Sequence, residues 1–210
     1  MKRASLIVAL IVTAFLGYRA LVSGPEVRNA RPAGENIICF GDSLTAGTGA
    51  IAGMDYPSQL ARMIDRATIN AGVPGDTTAT ALSRLEDDVL SRSPGIVLVT
   101  LGGNDLKNGV DREVFSRNLQ SIITRVQDQG ALVIVGGIEL PLLDRGFKEI
   151  YQEVTRKTGA ILIPNIFQGV MGRRELMSDP IHPNDTGYTI IAQRFHEAMR
   201  PYLRPASGDS

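Results

Sequence analysis

Short runs of consecutive apolar residues alternate along this chain with longer stretches in which apolar residues return every three or four positions. The runs Asn36–Phe40, Ala67–Asn70, Gly95–Leu101, Ala131–Gly136 and Ala160–Ile163 predict strands. Between them Tyr56–Asp65, Thr78–Ser91, Arg112–Gln129 and Phe147–Lys157 predict helices, and a last helix is expected from about Thr186 to Leu203, with Asp185 as its N-cap. Within Arg112–Gln129, Val114, Phe115, Leu119, Ile122, Ile123 and Val126 fall at helical spacing and mark the face turned to the core. The strand candidates do not alternate apolar with polar residues, so both of their faces should be covered. Strands buried on two sides and separated by helices imply a parallel sheet in an α/β fold.

The two ends of the chain break this pattern. Lys2 and Arg3 precede an uncharged stretch, Ala4–Tyr18, that is apolar on every face. Its length suits an export signal or an uncleaved amino-terminal anchor, and residues 1–22 are assigned to one of these two. No A-x-A cleavage pattern follows. Residues 23–35, rich in Gly, Pro, Ala and charge, read as a linker, residues 36–204 as one catalytic domain, and residues 205–210 as a small polar tail.

Composition narrows the function classes. The 210 residues are 43% hydrophobic and 21% charged, which suits a single globular domain with a proper core. Lysines plus arginines and aspartates plus glutamates number 22 each, so no overall field favours nucleic acid. Cys39 is the one cysteine and there are two histidines, which leaves no disulfide and no zinc-ligand spacing. No cofactor is expected, and Cys39 reads as a small buried strand residue.

Candidate chemistry sits where the apolar runs stop. Gly41-Asp42-Ser43-Leu44 follows the first strand and places a serine hydroxyl at the carboxyl edge of the sheet, where clefts of open α/β sheets form. Serine is a weak nucleophile at neutral pH and needs a base. Asp179-Pro180-Ile181-His182, just before the last helix, supplies an imidazole and a carboxylate to orient it. His196 falls within that helix and reads as a partly exposed helical residue. Acyl transfer also needs donors aimed at the developing oxyanion. Asn104, in Gly102-Gly103-Asn104-Asp105 after the third strand, and the Gly75 N–H, after the second, are the candidates, while Gly72 reads as a turn. Gly47–Gly53 is glycine-rich and is expected to form a mobile lip of the cleft.

Four motifs in order, Gly41-Asp42-Ser43-Leu44, Gly75, Gly103-Asn104-Asp105 and Asp179-x-x-His182, resemble the GDSL esterase/lipase family in its SGNH hydrolase form, over Asn36 to about Leu203. The resemblance implies a flavodoxin-like three-layer sandwich around a parallel five-stranded sheet. It implies Ser43 as nucleophile, His182 as base, Asp179 as orienting carboxylate, and an oxyanion hole from the Ser43 and Gly75 N–H groups and the Asn104 side chain. Thr45 stands where a G-x-S-x-G elbow would have its second glycine, so the α/β-hydrolase turn is not the pattern. Within the family the chain is most similar to the periplasmic thioesterase/lysophospholipase and arylesterase type. The expected activity is hydrolysis of acyl esters or thioesters, small or lipid, by an exported enzyme, with possible membrane association through residues 1–22. Deacetylation of a carbohydrate or cell-envelope polymer is the alternative. A nucleotide-binding module is disfavoured, because Gly47-x-Gly49-x-x-x-Gly53 misses the dinucleotide spacing.

Overall fold

The computed structural model describes residues 26–139 and 146–203. The expected export segment and the polar tail lie outside these residues. Five strands, β1 (Asn36–Gly41), β2 (Thr68–Gly72), β3 (Pro94–Thr100), β4 (Leu132–Gly136) and β5 (Ile161–Ile163), form one sheet in the order β2-β1-β3-β4-β5. All pairings are parallel. The chain winds from β1 outward to β2 on one side and from β3 to β5 on the other. That reversal opens a crevice at the carboxyl ends of β1 and β3.

Among the described residues six α-helices connect the strands and a seventh follows the last: α1 (Ser43–Ala46), α2 (Tyr56–Ile64), α3 (Thr78–Asp88), α4 (Gly103–Lys107), α5 (Arg112–Asp128), α6 (Phe147–Thr158) and α7 (Asp185–Met199). Alternate strand residues feed two separate cores. Ile38, Phe40, Val97, Val99, Val133 and Val135 pack with Leu85 of α3, Phe115, Leu119 and Ile122 of α5, and Tyr151 and Val154 of α6. On the other face Cys39, Leu98, Leu132 and Ile134 pack with Leu60 of α2, the Ile166–Val170 segment, and Tyr188, Ile191 and Phe195 of α7. The result is the three-layer sandwich expected for strands covered on both faces. A fully buried aliphatic side chain in either layer stabilises the fold by ~1.5–3 kcal/mol. Cys39 is buried, and desolvation pushes its thiol far above the ordinary range, which suits an inert core residue.

Several boundaries differ from expectation for local reasons. The third-layer helix α3 ends at Asp88, where Arg84 bonds it one turn on; a 3₁₀ turn, Leu90–Arg92, follows and Ser93 turns left-handed into β3. Asn184 caps α7, its side chain accepting from the Gly187 N–H, whereas Asp185 is the first helical residue and its Oδ1 accepts from Ile51 N–H. Residues 28–35, within the stretch expected to be a linker, are stitched along the amino edge of the sheet. Arg28, Ala33 and Glu35 N–H donate to the carbonyls of Gly159, Gly130 and Ser93, and the Asn29 carboxamide donates to the Gln127 and Ala131 carbonyls. The folded body therefore begins by Arg28 rather than at Asn36.

Candidate active site

β1 ends at Gly41, and only glycine fits there: a Cβ would run into the Thr45 hydroxyl and the Thr100 carbonyl. The chain turns at once into α1. Asp42 caps this helix, its Oδ1 accepting from Leu44 N–H at 3.0 Å, and Ser43 occupies the first helical position. The Ser43 N–H therefore precedes any intrahelical bond and is free for a ligand.

The imidazole comes from the loop ahead of α7. Asp179 Oδ1 accepts from the Ile181 and His182 N–H groups, each at 2.8 Å, and the Ser178 N–H returns to the His182 carbonyl at 2.9 Å. These bonds close the loop, and they aim the side chains at each other. Asp179 Oδ2 lies 2.7 Å from His182 Nδ1, and His182 Nε2 lies 3.1 Å from Ser43 Oγ. With the carboxylate accepting from Nδ1–H, the Nε2 lone pair faces the serine hydroxyl. The His182 bond, followed by the Ile181 N–H, holds the Asp179 carboxyl down at about 2. It is thus ionised at every pH near neutrality and keeps the imidazole in that tautomer. The sequence places the three residues in two distant segments, and the structure brings all three together.

Asn104 follows β3 on α4. Gly102, at φ +122°, makes the turn, and a Cβ there would collide with the Tyr151 hydroxyl, so only glycine fits. The Asn104 Nδ2 donates to the Asp76 carbonyl at 2.9 Å and, more weakly, to Asp42 Oδ2 at 3.3 Å. A substrate oxygen would compete with the longer bond. Gly75 is the residue before Asp76; it stands at φ +89°, its N–H has no hydrogen-bond partner among the described residues, and it is not part of the cleft wall. The Gly75–Asp76 segment is held from behind by Arg84, whose guanidinium pairs with Asp76 at 2.6 Å and also donates to the Gly41 and Ala71 carbonyls. Asp105, buried, ties α4 to α3 by accepting from the Thr78 N–H and hydroxyl at 2.9 and 2.6 Å. Its carboxyl is pushed up by burial, with the Thr78 bonds opposing.

Asp42 is the functional-site group that sequence reasoning passed over, although it adjoins Ser43. It is buried, and desolvation pushes its carboxyl from the ordinary 3.8 up to about 6, against the opposing pull of the Leu44 N–H and His182. Also unannounced was the cleft wall. Leu44, Ile138, Phe167, Met171 and Ile181 line a space of about 120 Å³ together with Ser43, Asn104, Lys107 and His182. They come from the short helix α1 and three separate loops, none with a pattern of its own. The Gly47–Gly53 segment does not line this cleft. It is tied down, with the Tyr188 hydroxyl donating to the Thr48 carbonyl at 2.8 Å and Asp185 holding Ile51, and it backs the Ser178–Pro183 loop. His196 lies half-buried on α7, outside the cleft wall. Among the described residues no group of acidic, histidine or cysteine side chains could hold a metal ion.

Comparison with known proteins gives the same outline. Esterase TesA of Pseudomonas aeruginosa is 30% identical over 185 residues, covering 82% of this chain and 90% of that protein. The Escherichia coli K12 protein called thioesterase 1/protease 1/lysophospholipase L1 is 29% identical over 179 residues, 81% of this chain and 86% of its own. A crystal structure of TesA superposes with a TM-score of 0.76 at 27% identity, covering 80% of this chain and all of that one. The model of the GDSL-like lipase/acylhydrolase family matches residues 39–190, which run from the middle of β1 into α7 and contain every residue of the site. The chain belongs to that family.

Proposed function

We propose that the protein hydrolyses carboxylic esters through a covalent acyl-enzyme on Ser43. The observation that carries this reading is the unbroken line of contacts from Asp179 through His182 to Ser43 Oγ. Ser43 Oγ attacks the carbonyl carbon while its proton passes to His182 Nε2. The carbonyl π electrons move onto oxygen, and that oxyanion is met by the Ser43 N–H and the Asn104 amide of the cleft wall. Collapse breaks the bond to the alcohol oxygen, which leaves with the proton from Nε2. Water then gives a proton to Nε2 as it attacks the acyl carbon; collapse breaks the bond to Ser43 Oγ, which takes the proton back from Nε2 as the acid leaves. Asp179 stays ionised throughout and steadies the imidazolium.

The same groups would cleave a thioester or remove an acetyl group from a sugar. The wall of Leu44, Ile138, Phe167, Met171 and Ile181 favours an acyl chain over a polar ring. At about 120 Å³ the space is narrow beside the ~300–1,000 Å³ of drug-sized pockets, so short acyl groups are enclosed and longer ones run out past Ile181. Export of the enzyme is part of this proposal and rests on Lys2 and Arg3 ahead of the uncharged Ala4–Tyr18. No helix of the described residues is long and apolar enough to cross a membrane. The test is Ser43→Ala, assayed on p-nitrophenyl esters of rising chain length. It should stay folded, lose fluorophosphonate labelling and lose kcat by roughly 10⁴–10⁶. Retained labelling and turnover would overturn the assignment.

A further inference from the structure

Asn104 and Lys107 stand three residues apart on α4, so both side chains project from one face of that short helix. Asn104 reaches toward the nucleophile, and Lys107 lines the same cleft as Ser43 and His182. Its ammonium has no ion-pair or hydrogen-bond partner among the described residues. Among the described residues the carboxylates of the site are each bonded elsewhere. Asp76 pairs with Arg84, Asp105 accepts from Thr78, Asp42 from Leu44 and Asn104, and Asp179 from His182. Glu139, next to Ile138 in the wall, is held by Lys148 at 3.1 Å. Among the described residues Lys107 is the one lysine or arginine lining the cleft, whose wall beside Asp42, Ser43, Asn104 and His182 is apolar, and it brings a positive charge about one helical turn from the oxyanion donor.

We propose that Lys107 is a specificity-determining residue that selects esters bearing an anionic group, carboxylate or phosphate, a few bonds from the scissile carbonyl. The inference rests on Ser43 being the nucleophile. A neutral ester gains nothing from the ammonium, whereas an anion gains a direct pair against an apolar wall that screens it less than open water. Lys107 is exposed on a flexible stem, which keeps the gain modest, on the order of three- to tenfold in kcat/KM. It should appear mainly in KM, because the pair forms on binding, and it should shrink in salt.

Two matched pairs of esters test this and say on which side of the ester the anion sits. On the acyl side the pair is the p-nitrophenyl half ester of adipic acid against p-nitrophenyl hexanoate. On the alcohol side it is 4-acetoxybenzoate against its methyl ester. In Lys107→Met the ratio of anionic to neutral kcat/KM should fall three- to tenfold for at least one pair, and further in Lys107→Glu. The wild-type ratio should fall between 0.05 and 0.5 M salt by a similar factor. Ratios unchanged by both substitutions, in an enzyme that hydrolyses the neutral members and loses that turnover with Ser43→Ala, would overturn this inference alone. A wild-type protein that cleaves none of the four esters would sink it together with the esterase reading.

Discussion

Asp42→Asn should stabilise the protein at neutral pH. Burial lifts the Asp42 carboxyl from 3.8 to about 6, so the folded state holds its proton more tightly than the unfolded chain. Below about pH 4 both states are protonated and the group costs nothing. Between about pH 4 and 6 the unfolded chain gives up the proton and the folded one keeps it, so stability falls as pH rises, by at most ~1.4 kcal/mol per pH unit. Above about pH 7 the full cost is in place. About two pH units at ~1.36 kcal/mol each make it ~3 kcal/mol. Asparagine has nearly the same shape, keeps an oxygen for the Leu44 N–H and carries no charge to desolvate. What it loses is the acceptor facing Asn104, a long bond worth at most ~1 kcal/mol. Urea unfolding of wild type and variant from pH 3 to 8 isolates the effect, since titrations not coupled to Asp42 cancel in the difference. The variant's advantage should grow by ~2 kcal/mol from pH 4 to 6 and approach the full ~3 kcal/mol above pH 7. A difference that is flat across the range, or that shrinks with rising pH, would refute the reasoning. Because the acceptor that steadies Asn104 is lost as well, kcat should fall where stability rises, the usual exchange at a functional site.

The two histidines separate cleanly: His182→Ala should lose nearly as much turnover as Ser43→Ala, and His196→Ala little, which steady-state kinetics on one p-nitrophenyl ester will show. Asn104→Ala should lower kcat by about 10²–10³ with KM comparatively unchanged, and a change confined to KM would mean that it binds the ground state instead. A chain starting at Asn36 rather than Glu26 gives up five backbone-directed bonds made by Arg28, Asn29, Ala33 and Glu35. At ~0.5–1.5 kcal/mol each it should be ~3–7 kcal/mol less stable in urea, and equal midpoints would show that the strap contributes nothing.

Most of the fold was readable in advance, because its signals are long and repeated. Five continuous apolar runs marked the strands, and the stripe from Val114 to Val126 marked α5, of which all but Val114 proved fully buried. The helices α1 and α4 gave no such signal, being too short to show a period, yet they carry Ser43 and Asn104. The α7 cap was misplaced by one residue because Asn184 and Asp185 are equally good caps by type. What decides between them is tertiary, since Asp185 is drawn to Ile51 from another loop. In the site, Ser43, Asp179 and His182 were legible because their chemistry needs partners and the chain offers few. Asp42 was hidden by its neighbour, since its pairing with Asn104 depends on two strand ends meeting. The strap was misread because residues rich in Gly, Pro and charge look like a linker, while its backbone donors answer loop carbonyls that leave no trace in sequence.

That strap also determines which way the enzyme looks. Its partners Ser93, Gly130, Ala131 and Gly159 all lie just ahead of strands, at the amino edge of the sheet, while Ser43, Asn104 and Ile138 lie just past the opposite ends. The six residues of β1 separate the two edges by roughly 20 Å. Anything joined ahead of Glu26, whether a tag, a resin or a bilayer, therefore grips the molecule by its back. A surface holding the body close at Glu26 would meet the amino edge of the sheet, with the cleft on the opposite side and open to esters arriving through the surrounding water.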